Sequence, residues 1–275
     1  MTEALLLLLA PLGTYWAGRR LIIFYEARLA VKPNYRGKNV APALGPALLL
    51  SYLVVAAANL WLGNDLVPWI PLTMLLLGTS FYGLWDDFME ESVSGFAGHL
   101  GAGLKGSLSA GLLKVITAVP VAFLFTGTLP LPLPLRAVAV LAVLFSANGV
   151  NLLDRRPGRA LKVFFLVGLL LIFAAKPAPE AARMLLPLMA AAVALAPFDL
   201  LAGGMLGDCG ANLLGAALGA AAALYLETQA LLFFTAAWGA INLVSERLSL
   251  STVIEKNGLL RFLDALGRGE EEKLT

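Results

Sequence analysis

Residues 66–87 read Leu66-Val67-Pro68-Trp69-Ile70-Pro71-Leu72-Thr73-Met74-Leu75-Leu76-Leu77-Gly78-Thr79-Ser80-Phe81-Tyr82-Gly83-Leu84-Trp85-Asp86-Asp87. No charge interrupts the run from Leu66 to Trp85. A bilayer-crossing helix needs about 20 such residues, so the stretch predicts a membrane span that ends on two adjacent acids. A carboxylate at the edge of hydrocarbon is costly to desolvate and is usually kept for a purpose. Two side by side repel unless a cation lies with them. The alternative is a solvated helix end that merely marks the membrane boundary.

The rest of the chain has the same character. Of 275 residues, 59% are hydrophobic and 14% charged, where a soluble domain is nearer a quarter charged. The fold class expected is all-α, a polytopic integral membrane helix bundle. A net charge of +2 with dispersed basic residues gives no footprint for nucleic acid. The single cysteine, Cys209, excludes an intrachain disulfide and a cysteine-rich metal site. No positive n-region precedes the first apolar stretch, which reads as a retained span and not a signal peptide.

Apolar runs predict about nine transmembrane helices, near 4–24, 43–62, 66–85, 109–128, 132–150, 160–175, 184–201, 209–226 and 228–246. The runs are continuous and do not alternate, which disfavours a barrel. The small-residue spacing Gly215-Ala216-Ala217-Leu218-Gly219 suits close helix packing. An odd number of spans puts the termini on opposite sides. Of 20 Lys and Arg residues, only Arg136, Lys176 and Arg183 fall on the second side. The positive-inside rule then puts the N-terminus outside and the C-terminus in the cytoplasm. Residues 1–248 form the membrane domain, and 249–275 a cytoplasmic amphipathic tail helix opened by a Thr252…Glu255 capping box.

Asp86, Asp87, Glu90, Glu91, Asp154 and Asp208 all fall on the cytoplasmic face. The first loop there, Lys32 to Pro42, offers Arg36 for phosphate. The second is glycine-rich and carries Lys105, with His99 read as incidental. The third, Asn148-Gly149-Val150-Asn151-Leu152-Leu153-Asp154, spaces two amides and an acid three residues apart on a helix. They suit recognition of a base or sugar, or they simply cap the helix end. The fourth, Gly203 to Asn212, runs into the eighth span. Asp208 is placed there either to cap that helix or to hold a cation bridging to phosphate. Asp199 has no assigned role.

The pieces Pro33..Arg36 with Pro42 and Gly45, Asp86-Asp87, Gly95-Phe96 through Lys105, Asn148..Asn151..Asp154 and Gly207-Asp208-x-Gly210 come in a recognisable order. In that order the chain resembles the polyprenyl-phosphate N-acetylhexosamine-1-phosphate transferase family, over residues 30–215. The resemblance implies Mg²⁺-dependent transfer of a sugar 1-phosphate from a nucleotide diphosphosugar, expected to be UDP-linked, to a polyprenyl phosphate such as undecaprenyl phosphate. The nucleoside monophosphate is released. By similarity Asp208 and one of Asp86 or Asp87 hold the metal, and the other receives or positions the lipid-phosphate proton. Asn151 and Asp154 face the nucleotide sugar and Lys105 steadies phosphate; Arg36 and Asn148 are the further substrate-binding candidates. Membrane lipids, and a second copy of the chain, complete the expected partners. Phosphoryl transfer depends mostly on positioning and charge, so no Ser, Cys or His nucleophile is required.

Three departures stand out. The family's Asp-Gly-x-Asp-Gly continuation is replaced by Asp154-Arg155-Arg156-Pro157-Gly158, the late histidine-rich loop and a tenth span are missing, and Cys209 and Ala211-Asn212 follow Asp208. They motivate a second reading, a non-catalytic relative that binds lipid phosphate or a cell-envelope assembly partner. A transporter fits less well, because the polar groups gather at one face and not mid-membrane.

Overall fold

A computed structural model describes residues 2–63, 67–89, 110–176 and 178–268. Among these, nine long helices follow one another: α1 (Thr2–Ala27), α2 (Gly45–Trp61), α3 (Trp69–Phe88), α4 (Ala110–Gly127), α5 (Leu133–Leu153), α6 (Arg159–Ala174), α7 (Ala178–Leu200), α8 (Gly207–Tyr225) and α9 (Thr228–Ser245). They coincide with the nine apolar segments of the sequence. Four of them, α5, α7, α8 and α9, are long and apolar enough to cross a membrane; α2 and residues 114–127 of α4 are apolar but shorter. Large apolar side chains also cover the outside, including Leu12 and Trp16 on α1, Ile70 and Phe81 on α3, Phe173 on α6 and Phe233 on α9. A surface of this kind is unusual on a soluble protein and is the expected face toward lipid. The chain is an all-α, membrane-embedded bundle.

Several boundaries differ from the sequence expectation, those of α1 and α3 by two or three residues at each end. Helix α7 starts at Ala178 and not near 184, because Pro179 and Glu180 in its first turn favour a helix N-terminus. Helix α5 runs on to Leu153, which places Asn148 and Asn151 on regular helix.

Helix α8 is the centre of the bundle. All of its residues except Asp208 and Leu224 are buried. Its Ala, Gly and Leu composition carries almost nothing that would hold neighbours away. A Cβ on Gly215 would lie 2.6 Å from Ala147 Cα, and one on Gly219 would lie 2.5 Å from Val143 Cα, so α5 and α8 meet backbone to backbone. Ser146 Oγ reaches the Gly215 carbonyl at 2.8 Å across this contact. Helix α3 packs on the opposite flank, where a Cβ on Gly83 would meet Cys209 Cα at 2.7 Å. In lipid, where no hydrophobic drive separates helix from solvent, such close approach supplies the association energy.

At one end of the bundle the connecting segments fold together. Lys32–Pro33 pairs antiparallel with Asn39–Val40, and the Asn34 side chain closes the turn by accepting from the N–H groups of Arg36 and Lys38. The chain then runs beside the α7–α8 connection: Met205 N–H donates to Ala41 O (2.9 Å), Leu44 N–H to Met205 O (2.9 Å) and Gly45 N–H to Leu206 O (3.0 Å).

The tail is two helices, not one. Ser249 caps α10 (Leu250–Lys256) by accepting from Thr252 N–H, and Asn257 caps α11 (Gly258–Ala265) by accepting from Leu259 and Leu260 N–H. The expected Thr252…Glu255 box therefore lies inside α10, because Ser249 takes the capping position first. Leu259, Phe262, Leu263 and Leu266 are exposed, as expected for an amphipathic tail.

The α5–α8 contact makes a direct prediction. Gly215→Leu should lower stability by roughly 1–3 kcal/mol or more, since backbone cannot yield to the added carbons. Gly127→Ala, which meets open space, should leave it unchanged. Thermal unfolding in detergent checks both, and equal effects of the two substitutions would refute the packing role of Gly215.

Candidate active site

Four helix ends bring chemistry to one place: the last turn of α3, the second turn of α4, the last turn of α5 and the first turn of α8. Helix α3 delivers Asp86 and Asp87. Successive helical residues point about 100° apart, so the two acids cannot face the same partner. They divide the work accordingly.

Asp87 turns toward α8. Its Oδ1 accepts the Asp208 N–H at 2.7 Å and its Oδ2 the Cys209 N–H at 3.0 Å. These amides open α8 and have no partner within it, and a carboxylate is the best complement to that end of the helix dipole. Asp87 is thus an N-cap supplied by a different helix. The sequence reading that Asp208 caps α8 is corrected: Asp208 is already inside the first turn, and its side chain is free to face elsewhere. Gly207 is what allows the approach. It has φ +75°, and a Cβ there would lie 2.7 Å from Pro42 O and 2.8 Å from Asp87 Oδ2.

Asp86 and Asp208 share a cation that belongs to the protein. Lys114 Nζ lies 2.7 Å from Asp208 Oδ2 and is also paired with Asp86 Oδ2. Asn151 Nδ2 donates to the same Asp208 Oδ2 at 2.9 Å. The Lys114, Asp86 and Asp208 side chains are 23%, 26% and 31% exposed, so the cluster is open enough for a ligand to reach it. Beneath it, Asn212 Nδ2 donates to Asp208 O (2.7 Å) and Tyr82 O–H reaches Asn212 Oδ1 (3.5 Å). These bonds hold the first turn of α8 against α3.

The other expected residues separate into those near the cluster and those apart from it. Asp154 follows the last turn of α5; its burial pushes its carboxyl well above the ordinary carboxylate range, and the charges of Asp199, Asp208 and Asp87 add to the push. Asn148 faces away: its Nδ2 donates to Asn242 Oδ1 on α9 at 2.6 Å, so it joins two helices. Arg36 sits on the exposed hairpin with its guanidinium 5.4 Å from the Tyr35 ring, and Arg156 lies over the same ring at 4.6 Å. Lys105, His99, Glu90 and Glu91 lie outside the described residues.

Sequence reasoning gave no role to two charged groups that the fold brings to this end of the bundle. Lys114 is one; a charge within the apolar run 109–128 was its visible signal, since ionisable residues in spans are functional candidates. Asp199 is the other. Buried in the last turn of α7, it accepts Gly158 N–H at 2.7 Å and Leu206 N–H at 3.2 Å, tying the segment after α5 to the segment before α8. Its signal was of the same kind, an acid within the apolar run 184–201, but nothing local indicates its two amide partners.

Among the described residues no three His, Cys, Asp or Glu side chains gather as a ready metal site. The donor chemistry nonetheless suits Mg²⁺. Asp86 and Asp208 present hard oxygens to one shared cation, and Mg²⁺ is usually held by one or two carboxylates together with substrate phosphates. Asp87, with both oxygens engaged by backbone, is the least suited of the three acids to be a ligand.

The division of labour between the acids is testable by stability alone. Asp87→Ala should cost about 0.5–2 kcal/mol through the lost cap. Asp86→Ala should cost less than about 1 kcal/mol, because its pair is partly exposed. Unfolding midpoints in detergent rank the two, and the reverse order would show that Asp87 is not the cap. No family model and no curated protein matches this chain, so the site is defined by its own geometry.

Proposed function

We propose that the chain is a Mg²⁺-dependent phosphotransferase that moves a sugar 1-phosphate from a nucleotide diphosphosugar, UDP-linked, onto a polyprenyl phosphate at the cytoplasmic face of the cell membrane. The observation that carries this reading is the convergence of Asp86, Lys114, Asn151 and Asp208 from four helices on one partly open cluster. The order of motifs resembling the polyprenyl-phosphate transferase family supports it. In this reading all nine helices span, with the N-terminus outside, and the charge asymmetry of the loops puts the cluster in the cytoplasm. The tail lies on the same interface through Leu259, Phe262, Leu263 and Leu266.

The reaction joins anions, so repulsion is its first obstacle. An oxygen of the lipid phosphate attacks the phosphorus that bears the sugar. The bond from that phosphorus to the bridging oxygen breaks, and the nucleoside monophosphate leaves with the electron pair. Asp86 and Asp208 are the residues that would hold Mg²⁺, which supplies charge neutralisation for the phosphates. Lys114 balances the two carboxylates, and in this reading it would steady the transferred phosphoryl group. Asn151 orients Asp208 by its amide, and Asp154, just beyond α5, would meet the nucleotide sugar. Asp87 contributes by holding the α8 N-terminus in register, and so acts at one remove.

One observation favours the second reading, a non-catalytic binder of lipid phosphate. Lys114 already satisfies both acids, as a closed structural cluster would. Turnover separates the two. Purified protein with Mg²⁺, undecaprenyl phosphate and a panel of UDP-sugars is expected to release UMP. Lys114→Met should cut the rate by about 10²–10³, the usual cost of removing one preorganised charge partner of a developing anion. Chelation should abolish it. Release no faster than from Asp208→Ala with every sugar would sink the enzyme reading, and retained lipid-phosphate binding would then support the second.

A further inference from the structure

The segment after Asp154 is where the chain departs furthest from the motif it resembles, and it is also where the tail is seated. Arg159 forms a fork on Asp264 of α11, Nε to Oδ1 at 2.8 Å and Nη2 to Oδ2 at 2.8 Å, and its Nη1 donates to Ser251 Oγ of α10 at 2.9 Å. Arg268 completes the bridge: Nη2 donates to Asp264 Oδ1 at 2.7 Å and Nε to the Pro157 carbonyl at 2.9 Å. Lys162 Nζ donates to the Asp264 carbonyl, and Arg156 meets Glu255 at 3.5 Å. Residues 156, 157, 159 and 162 are thus all held by the tail.

This is not a surface ion pair. The Arg159, Asp264 and Arg268 side chains are 4%, 11% and 9% exposed. Burial alone would raise the Asp264 carboxyl, but the Arg159 hydrogen bonds and charge, with Arg268, outweigh it and hold the group below the ordinary carboxylate range. Bidentate Arg–carboxylate geometry is directional, so it fixes orientation as well as distance. The tail makes these contacts with polar groups, the side chains of Ser251, Glu255, Asp264 and Arg268 and the Asp264 carbonyl, while the large apolar side chains of α11 remain exposed.

The seat is joined to the cluster by a second set of bonds. Gly158, between Pro157 and Arg159, donates its N–H to Asp199 Oδ2, and Asp199 Oδ1 accepts the Leu206 N–H. Leu206 precedes Gly207 and Asp208. A path of hydrogen bonds and intervening peptide bonds therefore runs from Asp264 through Arg159, Gly158, Asp199 and Leu206 to the first turn of α8.

We propose that the tail is a strap that positions the site, with Asp264 its positioning residue: by clamping residues 156–159 it sets the loop that carries Asp154 and, through Asp199, the turn that carries Asp208. The role in catalysis rests on the phosphotransfer reading; the mechanical coupling does not. In this chain Arg156 and Arg159 serve the strap, and Pro157, which stands where the resembled motif has its second acid, offers its carbonyl to Arg268.

Amide hydrogen exchange on the full-length protein in lipid nanodiscs tests the coupling without any substrate. Asp264→Asn should speed exchange by about tenfold or more in residues 154–161 and again in 202–208, while the middles of α2 and α5 stay unchanged. Arg268→Gln, a milder change that leaves the Arg159 fork in place, should give the same two-site pattern at smaller amplitude. Acceleration confined to 250–268 would overturn the proposal, because the tail would then detach without disturbing the site. Acceleration across every helix in both variants would also overturn it, since Asp264 would then serve global stability only. If wild-type protein turns over UDP-sugar, Asp264→Asn should raise KM for the nucleotide sugar about tenfold, with kcat changed less. Absence of wild-type turnover would count against the phosphotransfer reading alone and leave the exchange result standing.

Discussion

The arrangement depends on how closely other backbones approach α8. Gly215 and Gly219 let α5 lie against it on one flank, and Gly83 of α3 meets its first turn on the other. Had α8 carried ordinary side chains, α3 and α5 would stand several ångströms further out. Asn151 could not then reach Asp208, and Asp87 could not reach the amides that open the helix. Small residues supply no chemistry themselves. They set the distance at which the polar groups of other helices can meet.

Charge is distributed on that scaffold in a definite way. A helix N-terminus needs an acceptor, and Asp87 provides one from α3, which frees Asp208 to face Lys114 and Asn151. Asp86, the next residue along α3, joins Lys114 from the other side. One carboxylate is therefore structural and two face the open cluster. The three acids outnumber the one ammonium beside them.

The connecting segments are held as firmly as the helices. Asp199 binds two of them with one carboxylate, and the tail holds one of those two, the segment after α5, a second time through Arg159 and Arg268. At this end of the bundle, polar groups do what apolar packing does elsewhere. A buried charge left without its partner is costly, so each of these links is strongly directional.

The sequence by itself determined the class of protein and the positions of its helices. Apolar runs and their interruptions are local properties, legible residue by residue, and the nine long helices fall where those runs fall. Gathering of Asp86, Asp87 and Asp208 at one end was legible too, because alternating segments return to the same end of a bundle. What only the tertiary structure decided was which partner each side chain meets. Asp86 and Asp87 are adjacent letters, yet one pairs with a lysine and the other caps a helix, because rotation of α3 about its axis sets where each points. Asn148 and Asn151 share a motif, yet one faces α9 and the other Asp208 for the same reason. Lys114 was visible as a charge in an apolar run, but its two carboxylate partners are distant in the chain. Asp199 stood out only as an acid within the apolar run 184–201, and Asp264 carried no local signal. Their roles exist only where backbone amides and arginines from remote segments are brought within reach, and that is a property of packing.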